Sequence, residues 1–408
     1  MTESRVSSER GAIIIQVLLA FLVLTAFLMF VVDYGVKWVS RNQAQNSADA
    51  GALAGAVALA YDDYDDRSDT GPAKLSARQI ALSNYVFGQA PDVNITSDIT
   101  FPTCPDGNDG CIKVDVYRNQ ARNNPLPLWF GWIVGLTNQG VRATATAQTG
   151  VGNTTQCLKP WAVVDKWTEH WEDGAPNSTW DEDSTYDKYD KFGNPDPNIP
   201  SGQADVYEAP TATSTGTGFH PFDPDGGYSA DYGRLISLKT GDNGDFQFAT
   251  GWFRALKLSD KPGGSEYEDN IKGCVGIDYT IGQDLEIDNE PGDMVGPTKQ
   301  GVDYVMDLDP YAHWDPDMNE GRGGIAGSAF NTSPRIVAVP LINPDLAAEA
   351  QKGGRTSVPI ANIMGFFLEG MDGKEVRGRL VMIPNMKIGP GGTVTPESAF
   401  SRIIRLIR

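Results

Sequence analysis

Cysteine and histidine are both scarce in this chain: 408 residues hold four of the first and three of the second. Four cysteines in so long a chain are too few for a disulfide scaffold. No C-x2-C pair occurs and no histidine lies near a cysteine in sequence, so zinc-ligand spacing is missing. His170, His220 and His313 are scattered, and there is no G-x-S-x-G elbow, H-E-x-x-H helix, P-loop or complete dinucleotide fingerprint. No residue is therefore put forward as catalytic and no organic cofactor is expected. Positive charge is also in short supply. With 33 Lys and Arg against 53 Asp and Glu the formal charge is -20, which repels phosphate backbones and argues against a nucleic-acid partner. Long hydrophobic runs are absent after the first 40 residues: the apolar stretch at 126–136, LPLWFGWIVGL, is too short to cross a bilayer and reads as a buried helix.

The one long run is at the start. From Ala12 to Val32 only Gln16 and Thr25 interrupt 21 apolar residues, about the 20 that a helix needs to span roughly 30 Å of hydrocarbon. It is longer than a cleavable export signal, and it ends in Phe30-Val31-Val32-Asp33-Tyr34 rather than at a small-x-small cleavage site. An uncleaved anchor is expected. Arg5 and Arg10 on one side are matched by Lys37 and Arg41 on the other, so the charge rule does not orient it. The short leading tail and the placement of the cysteines beyond the run put the N-terminus in the cytoplasm and the rest in an oxidising space.

Residues 41–63, RNQAQNSADAGALAGAVALAYDD, carry alanine at 44, 48, 52, 56 and 60, with Gly51 and Gly55 beside that row. On a helix this spacing makes a stripe of small residues against which another backbone can approach closely. Ala44, Ala48, Ala52, Ala56 and Ala60 are thus candidate helix-packing residues, either onto the chain's own domain or onto another protein's helix. No proline occurs before Pro72, so one helix from about Ala12 to Ala60 is expected, about 70 Å long.

The stretch RGAIIIQVLLAFLVLTAFLMFVVDYGVKWVSRNQAQNSADAGALAGAVALA resembles the N-terminal region of Tad (tight adherence, Flp-type) pilus-assembly proteins of the TadE/TadG-like kind, most specifically in Gln45 to Ala56 after the apolar helix. The resemblance implies a bacterial inner-membrane, single-pass envelope protein, with partners among other Tad-system membrane or pilin-like proteins. Pilin-like relatives are processed after a glycine and carry a glutamate five residues later. Here Gly11 has Gln16 at that place, so the expectation is a chain that is not cut after Gly11. Weaker likenesses to larger Tad-type envelope proteins occur at 157–167, 293–303, 333–341 and 363–370.

The expected fold class is α+β: a transmembrane anchor and extended helix over 1–60, a small α+β pilin-like domain over 61–150, and a mainly-β extracytoplasmic domain over 151–408. In the small domain a helix is expected over 72–88, with Leu75, Ile80, Tyr85 and Val86 in the core, then strands at 93–101, 112–117 and 141–148. In the large one, strands are expected at 161–165, 234–239, 246–258, 336–341, 360–369 and 376–383, with a hairpin at Asp372-Gly373 and a short helix at 301–308. Cys104 and Cys111 enclose a tight turn, CPDGNDGC, where a disulfide is easily closed. Cys157 and Cys274 remain as a second pair. Asp315, Asp317 and Asn319 fit the first ligand positions of a calcium loop, but no glycine follows at the sixth place and no glutamate closes it. Solvated acidic turns are the competing reading there and at 181–198 and 222–231. Trp161, Trp167, Trp171 and Trp180 are either core or a sugar-binding face. The tail SAFSRIIRLIR is amphipathic and suits either an anionic membrane or the chain's own acidic domain. These features suggest a structural or assembly role, the alternative being a membrane-tethered, calcium-stabilised adhesin or glycan-binding module.

Overall fold

The computed structural model describes residues 4–407 except 63, 65, 106, 108, 173–174, 177–178, 224–226, 242–245, 259–262, 288–293, 354–355 and 385. Its first element, α1, is a single helix, Ser4–Tyr61, with no break between the apolar run and the alanine stripe. The absence of proline permits this continuity, and the acidic, turn-rich segment after Tyr61 ends it. The chain divides into two compact units, 1–149 with 404–408, and 150–403.

In the first unit, helix α2, Pro72–Ser83, starts on a proline and runs antiparallel to the second half of α1. An antiparallel sheet packs on the helices: β1, Ile99–Thr100, β2, Cys111–Arg118, and β3, Val141–Val151. β2 and β3 pair from Cys111 opposite Gln148 to Arg118 opposite Val141. The C-terminal strand, Arg402–Ile407, completes the sheet beside β3. The basic tail is therefore a sheet strand, with Arg405 donating to Gln148 Oε1 from both Nε and Nη2. By chain order the second unit is an insertion between β3 and this last strand.

The second unit is built on a closed six-stranded barrel. Its strands are β4, Trp161–Val164, β5, Leu235–Thr240, β6, Trp252–Ala255, β8, Ile336–Ile342, β9, Ser357–Asp372, and β10, Glu375–Val381. β9 pairs with both β8 and β10, and the circuit closes through β8–β4, β4–β6, β6–β5 and β5–β10. β7, Asp284–Glu286, lies against the start of β9. Closure removes the open edges on which other strands could pair. The Asp-Gly signal is a hairpin, with Asp372 opposite Glu375 and Gly373 in the left-handed region at φ 59°. Trp161, Phe253, Leu341 and Phe366 are among the side chains of the barrel's core. Helices α3, Gly264–Lys272, and α4, Val295–Leu308, pack on each other beside it. Gly301 of α4 faces Ile271, so closely that a Cβ would meet that side chain at 2.6 Å.

Candidate functional site

The alanine stripe is occupied by the chain itself. Ala44, Ala48, Ala52 and Ala56 have no exposed surface, Ala60 has almost none, and the first four share a core with Ile112, Val114 and Val116 of β2. The neighbouring row, Ser47, Gly51 and Gly55, meets α2. Ser47 Oγ donates to Ala81 O at 2.8 Å; a Cβ on Gly51 would lie 2.9 Å from Ala81 Cβ, and one on Gly55 3.0 Å from Ala77 Cβ. Small residues at every fourth position on both helices bring the two backbones together. The stripe's packing partner in this structure is therefore intramolecular, and no stripe residue is left open to another helix.

This close approach also corrects the expected core of the second helix. Ala73, Ala77 and Ala81 form its buried face, while Leu75, Ile80 and Tyr85 are exposed; of the four expected core residues only Val86 is buried. A large side chain could not fit where α2 meets Gly51 and Gly55. The period-four row of alanines in PAKLSARQIALS was the available signal.

A second correction concerns 126–136. β2 and β3 are joined by residues 119–140, and within this long connection the apolar stretch is not a buried helix but a finger with one 3-10 turn, Gly131–Val134, in which Leu126 is buried at the base while Trp129, Phe130, Trp132 and Leu136 are exposed. Its base is tied by Leu126 N–H to Gln139 O at 3.0 Å and by the Gln139 amide to Pro127 O. Its tip is held by Asp33, the first ionisable residue after the apolar run of α1. The Asp33 carboxylate is buried and accepts three backbone N–H groups, from Trp129 at 2.8 Å, Phe130 at 3.0 Å and Gly131 at 2.6 Å. Charge-assisted bonds of this kind are about twice as strong as neutral ones. Below Asp33 the side chains of α1 described from Ile13 to Val32 are exposed, apart from half-buried Thr25, whose hydroxyl is satisfied by Phe21 O at 2.7 Å. Around it, Phe30, Tyr34 and Trp38 stack along one face, with ring centroids 5.4 and 6.4 Å apart.

Two disulfides join the four cysteines, Cys104 to Cys111 and Cys157 to Cys274. The second lies where a buried cation also acts. Lys159 Nζ donates to Asn270 O, Ile271 O and Gly273 O at 3.3, 2.6 and 2.8 Å, using all its protons to cap the C-terminus of α3. Burial pushes the Lys159 ammonium down to about 8.

The acidic turns hold their own backbone. Asp190 accepts the N–H groups of Phe192 and Asn194, Asp196 that of Asn198, and Asp181 that of Asp183. Asp231 binds Lys166 Nζ through both oxygens. Asp315 ends the strand His313–Asp315, Asp317 precedes the helical turn Met318–Gly321, and Asn319 lies within that turn. Asp315 accepts Asp317 N–H at 3.0 Å, and Asn319, left-handed at φ 51°, donates to Gly323 O at 2.9 Å. Among the described residues no three His, Cys, Asp or Glu side chains are grouped to hold a metal ion.

Asp165 and Asp205 are fully buried organisers of the long segment between β4 and β5. Asp165 accepts Lys166 N–H and Phe219 N–H on one oxygen, both at 2.9 Å, and its other oxygen lies 3.0 Å from Tyr207 Oη. Burial pushes its carboxyl up to about 7. Burial, with the neighbouring Asp205 charge, likewise raises Glu169. Each of the three histidines has Nδ1 beside a carbonyl, those of Ala204, Gly218 and Tyr311. Trp161 and Trp167 are buried, and Trp167 packs edge-on to both Trp180 and Tyr186, so they belong to a core rather than a sugar-binding face.

No curated protein matches the chain, and no solved structure does. One N-terminal helix is long and apolar enough to cross a membrane, and the two disulfides point to an extracytoplasmic location for the two units beyond its apolar run. Residues 11–58 match the family model Tad, described as putative Flp pilus-assembly TadE/G-like, so the chain carries a domain of that family at its N-terminus while the remainder is unassigned.

Proposed function

We propose that this protein is a membrane-anchored structural or assembly component of a Tad (Flp-type) pilus or tight-adherence system. Its α1 crosses the bacterial inner membrane once, with the N-terminus in the cytoplasm and the chain beyond Asp33 outside. The observation that carries the reading is the continuity of α1: the same helix supplies the exposed apolar run and the alanine face built into the first unit, within the segment that matches the Tad family. A rigid helix of this kind transmits position from the bilayer to the folded unit without a hinge. No catalytic step is part of the proposal.

Because the alanine stripe is covered, partners among Tad-system membrane or pilin-like proteins would meet the exposed face of the span. A photo-crosslinking residue at Leu18, tested in intact cells of a Tad-bearing host, should yield adducts with such proteins. The same residue at Tyr85, exposed on the first unit, reports contacts made outside the membrane. Adducts at neither position, together with unchanged pili in cells lacking the chain, would overturn the proposal.

A further inference from the structure

We infer that the finger at 126–136 is a membrane foot: it rests in the interfacial layer of the leaflet that α1 leaves at Asp33, and the groove it forms with the helix takes a phospholipid acyl chain. This rests on the reading of α1 as a membrane span. The finger contains no ionisable residue, yet Trp129, Trp132 and Leu136 are 57 %, 67 % and 54 % exposed. Burying side chains of this size is worth about 1.5–3 kcal/mol each, so a finger surrounded by water would forgo a stabilisation that a bilayer supplies. Exposure is imposed by the Asp33 cap, which holds the tip against the helix at the boundary between its apolar run and the charged residues beyond.

Position and chemistry agree on the occupant. Tryptophan and tyrosine concentrate at membrane interfaces, where one end of the ring system meets hydrocarbon and the other is hydrated. Trp129 and Trp132 on the finger join Tyr34 and Trp38, both exposed on α1, to form such a belt. Trp132 Nε1 donates to Trp129 O at 3.1 Å. The groove has a volume of about 790 Å³, with Phe21, Leu22 and Phe30 on the helix side and Leu128 and Leu136 on the finger side. From Phe21 to Phe30 the helix rises about 14 Å, close to the depth of one leaflet in a core of roughly 30 Å. Lys37 lines the same groove one turn beyond Asp33, where its ammonium can meet a headgroup phosphate. An apolar channel with a cationic mouth fits a phospholipid; a peptide strand would find few partners there for its backbone.

The test uses the full chain reconstituted in phosphatidylcholine vesicles. All four native cysteines are in disulfides, so single thiols from Leu136→Cys, Leu22→Cys and Leu75→Cys can be spin-labelled selectively. Collision rates with oxygen, which concentrates in lipid, and with a water-soluble nickel complex are then compared. The inference expects the oxygen-to-nickel ratio at Leu136 to be severalfold above that at Leu75 and to approach that at Leu22. Adding Asp33→Ala to Leu136→Cys should lower it, because the tip loses its cap. An aqueous Leu136 with a lipid-exposed Leu22 would overturn the foot and leave the anchor standing. An aqueous Leu22 would overturn both. A Leu136 label shielded from both reagents would show that protein, such as a second copy, fills the groove, and would also overturn the inference.

Discussion

Replacing Gly51 and Gly55 together by alanine tests the helix pair on which the first unit is built. A Cβ at Gly51 would meet Ala81 Cβ at 2.9 Å and Ala77 O at 3.0 Å. At Gly55 it would meet Ile112 Cδ1 at 2.5 Å, Ala77 Cβ at 3.0 Å and Ala73 O at 3.1 Å. The isoleucine end can swing away, but the α2 backbone and the Cβ atoms fixed to it cannot, so the helices must separate by a few tenths of an ångström. Overpacking of this kind costs about 2 kcal/mol per site, and the gain in helix propensity falls on α1, which stays helical whether or not α2 is docked, so it does not offset that cost. The double variant should therefore loosen α2 by about 4 kcal/mol, a factor of roughly 1000 in its opening equilibrium. Hydrogen exchange of the 72–83 amides in the detergent-solubilised full chain reads that opening directly. Gly35→Ala is the internal control: its Cβ would find nothing within 4 Å, so the same chemical change in the same helix should leave α2 exchange unaltered. If the double variant exchanges no faster than the control, the close approach of the two helices is wrong.

The two disulfides differ in loop length, and so should their removal. The Cys157–Cys274 bridge has a sequence separation of 117 and that of Cys104–Cys111 one of 7, for which chain entropy gives about 5 and about 2.5 kcal/mol. Denaturant titration of the full chain, followed by cleavage accessibility within each unit, should show the larger loss in 150–403 for Cys157→Ser/Cys274→Ser; equal losses would count against loop closure as the dominant effect. Asp165 supplies a pH dependence. With its carboxyl pushed up to about 7, the folded chain keeps a proton that the unfolded chain releases near 4, so this group's stabilising influence is present in full at low pH and is lost as pH rises from about 4 through 7. Asp165→Asn keeps an oxygen for Lys166 and Phe219 and presents an N–H to Tyr207, and should be more stable than the parent at pH 8 by about 3–4 kcal/mol. Parallel stability curves for the two proteins across that window would refute the assignment.

The sequence made the scaffold legible where local pattern and fold agree. The unbroken α1, the strands β2 and β3, the Asp-Gly hairpin and most barrel strands come from apolar runs, alternation and turn residues. It was misleading where apolar character had to be translated into burial. Leu75 and Ile80 look like core, but the space at the helix crossing admits only alanine; Leu126 to Leu136 looks like a buried helix, but its backbone is claimed by Asp33. That carboxylate lies 96 to 98 residues away in sequence from the amides it binds, a separation no periodicity reports. Barrel closure is equally non-local, since β10 must return to β5. The acidic turns offer oxygens at alternate positions, which suits a calcium loop or a solvated turn alike, and in the structure several of those oxygens accept backbone N–H groups. The C-terminal strand, amphipathic in sequence, shows its role only once β3 is seen to need a neighbour.

The central claim is that the first half of α1 stays in the bilayer while the second half is built into the first unit. Intact mass of the chain recovered from alkaline-washed membranes of the native host tests it most directly. The account predicts a membrane-retained chain that still contains residues 12–32. A chain released by the wash, or one whose mass shows that this run has been removed, would contradict it.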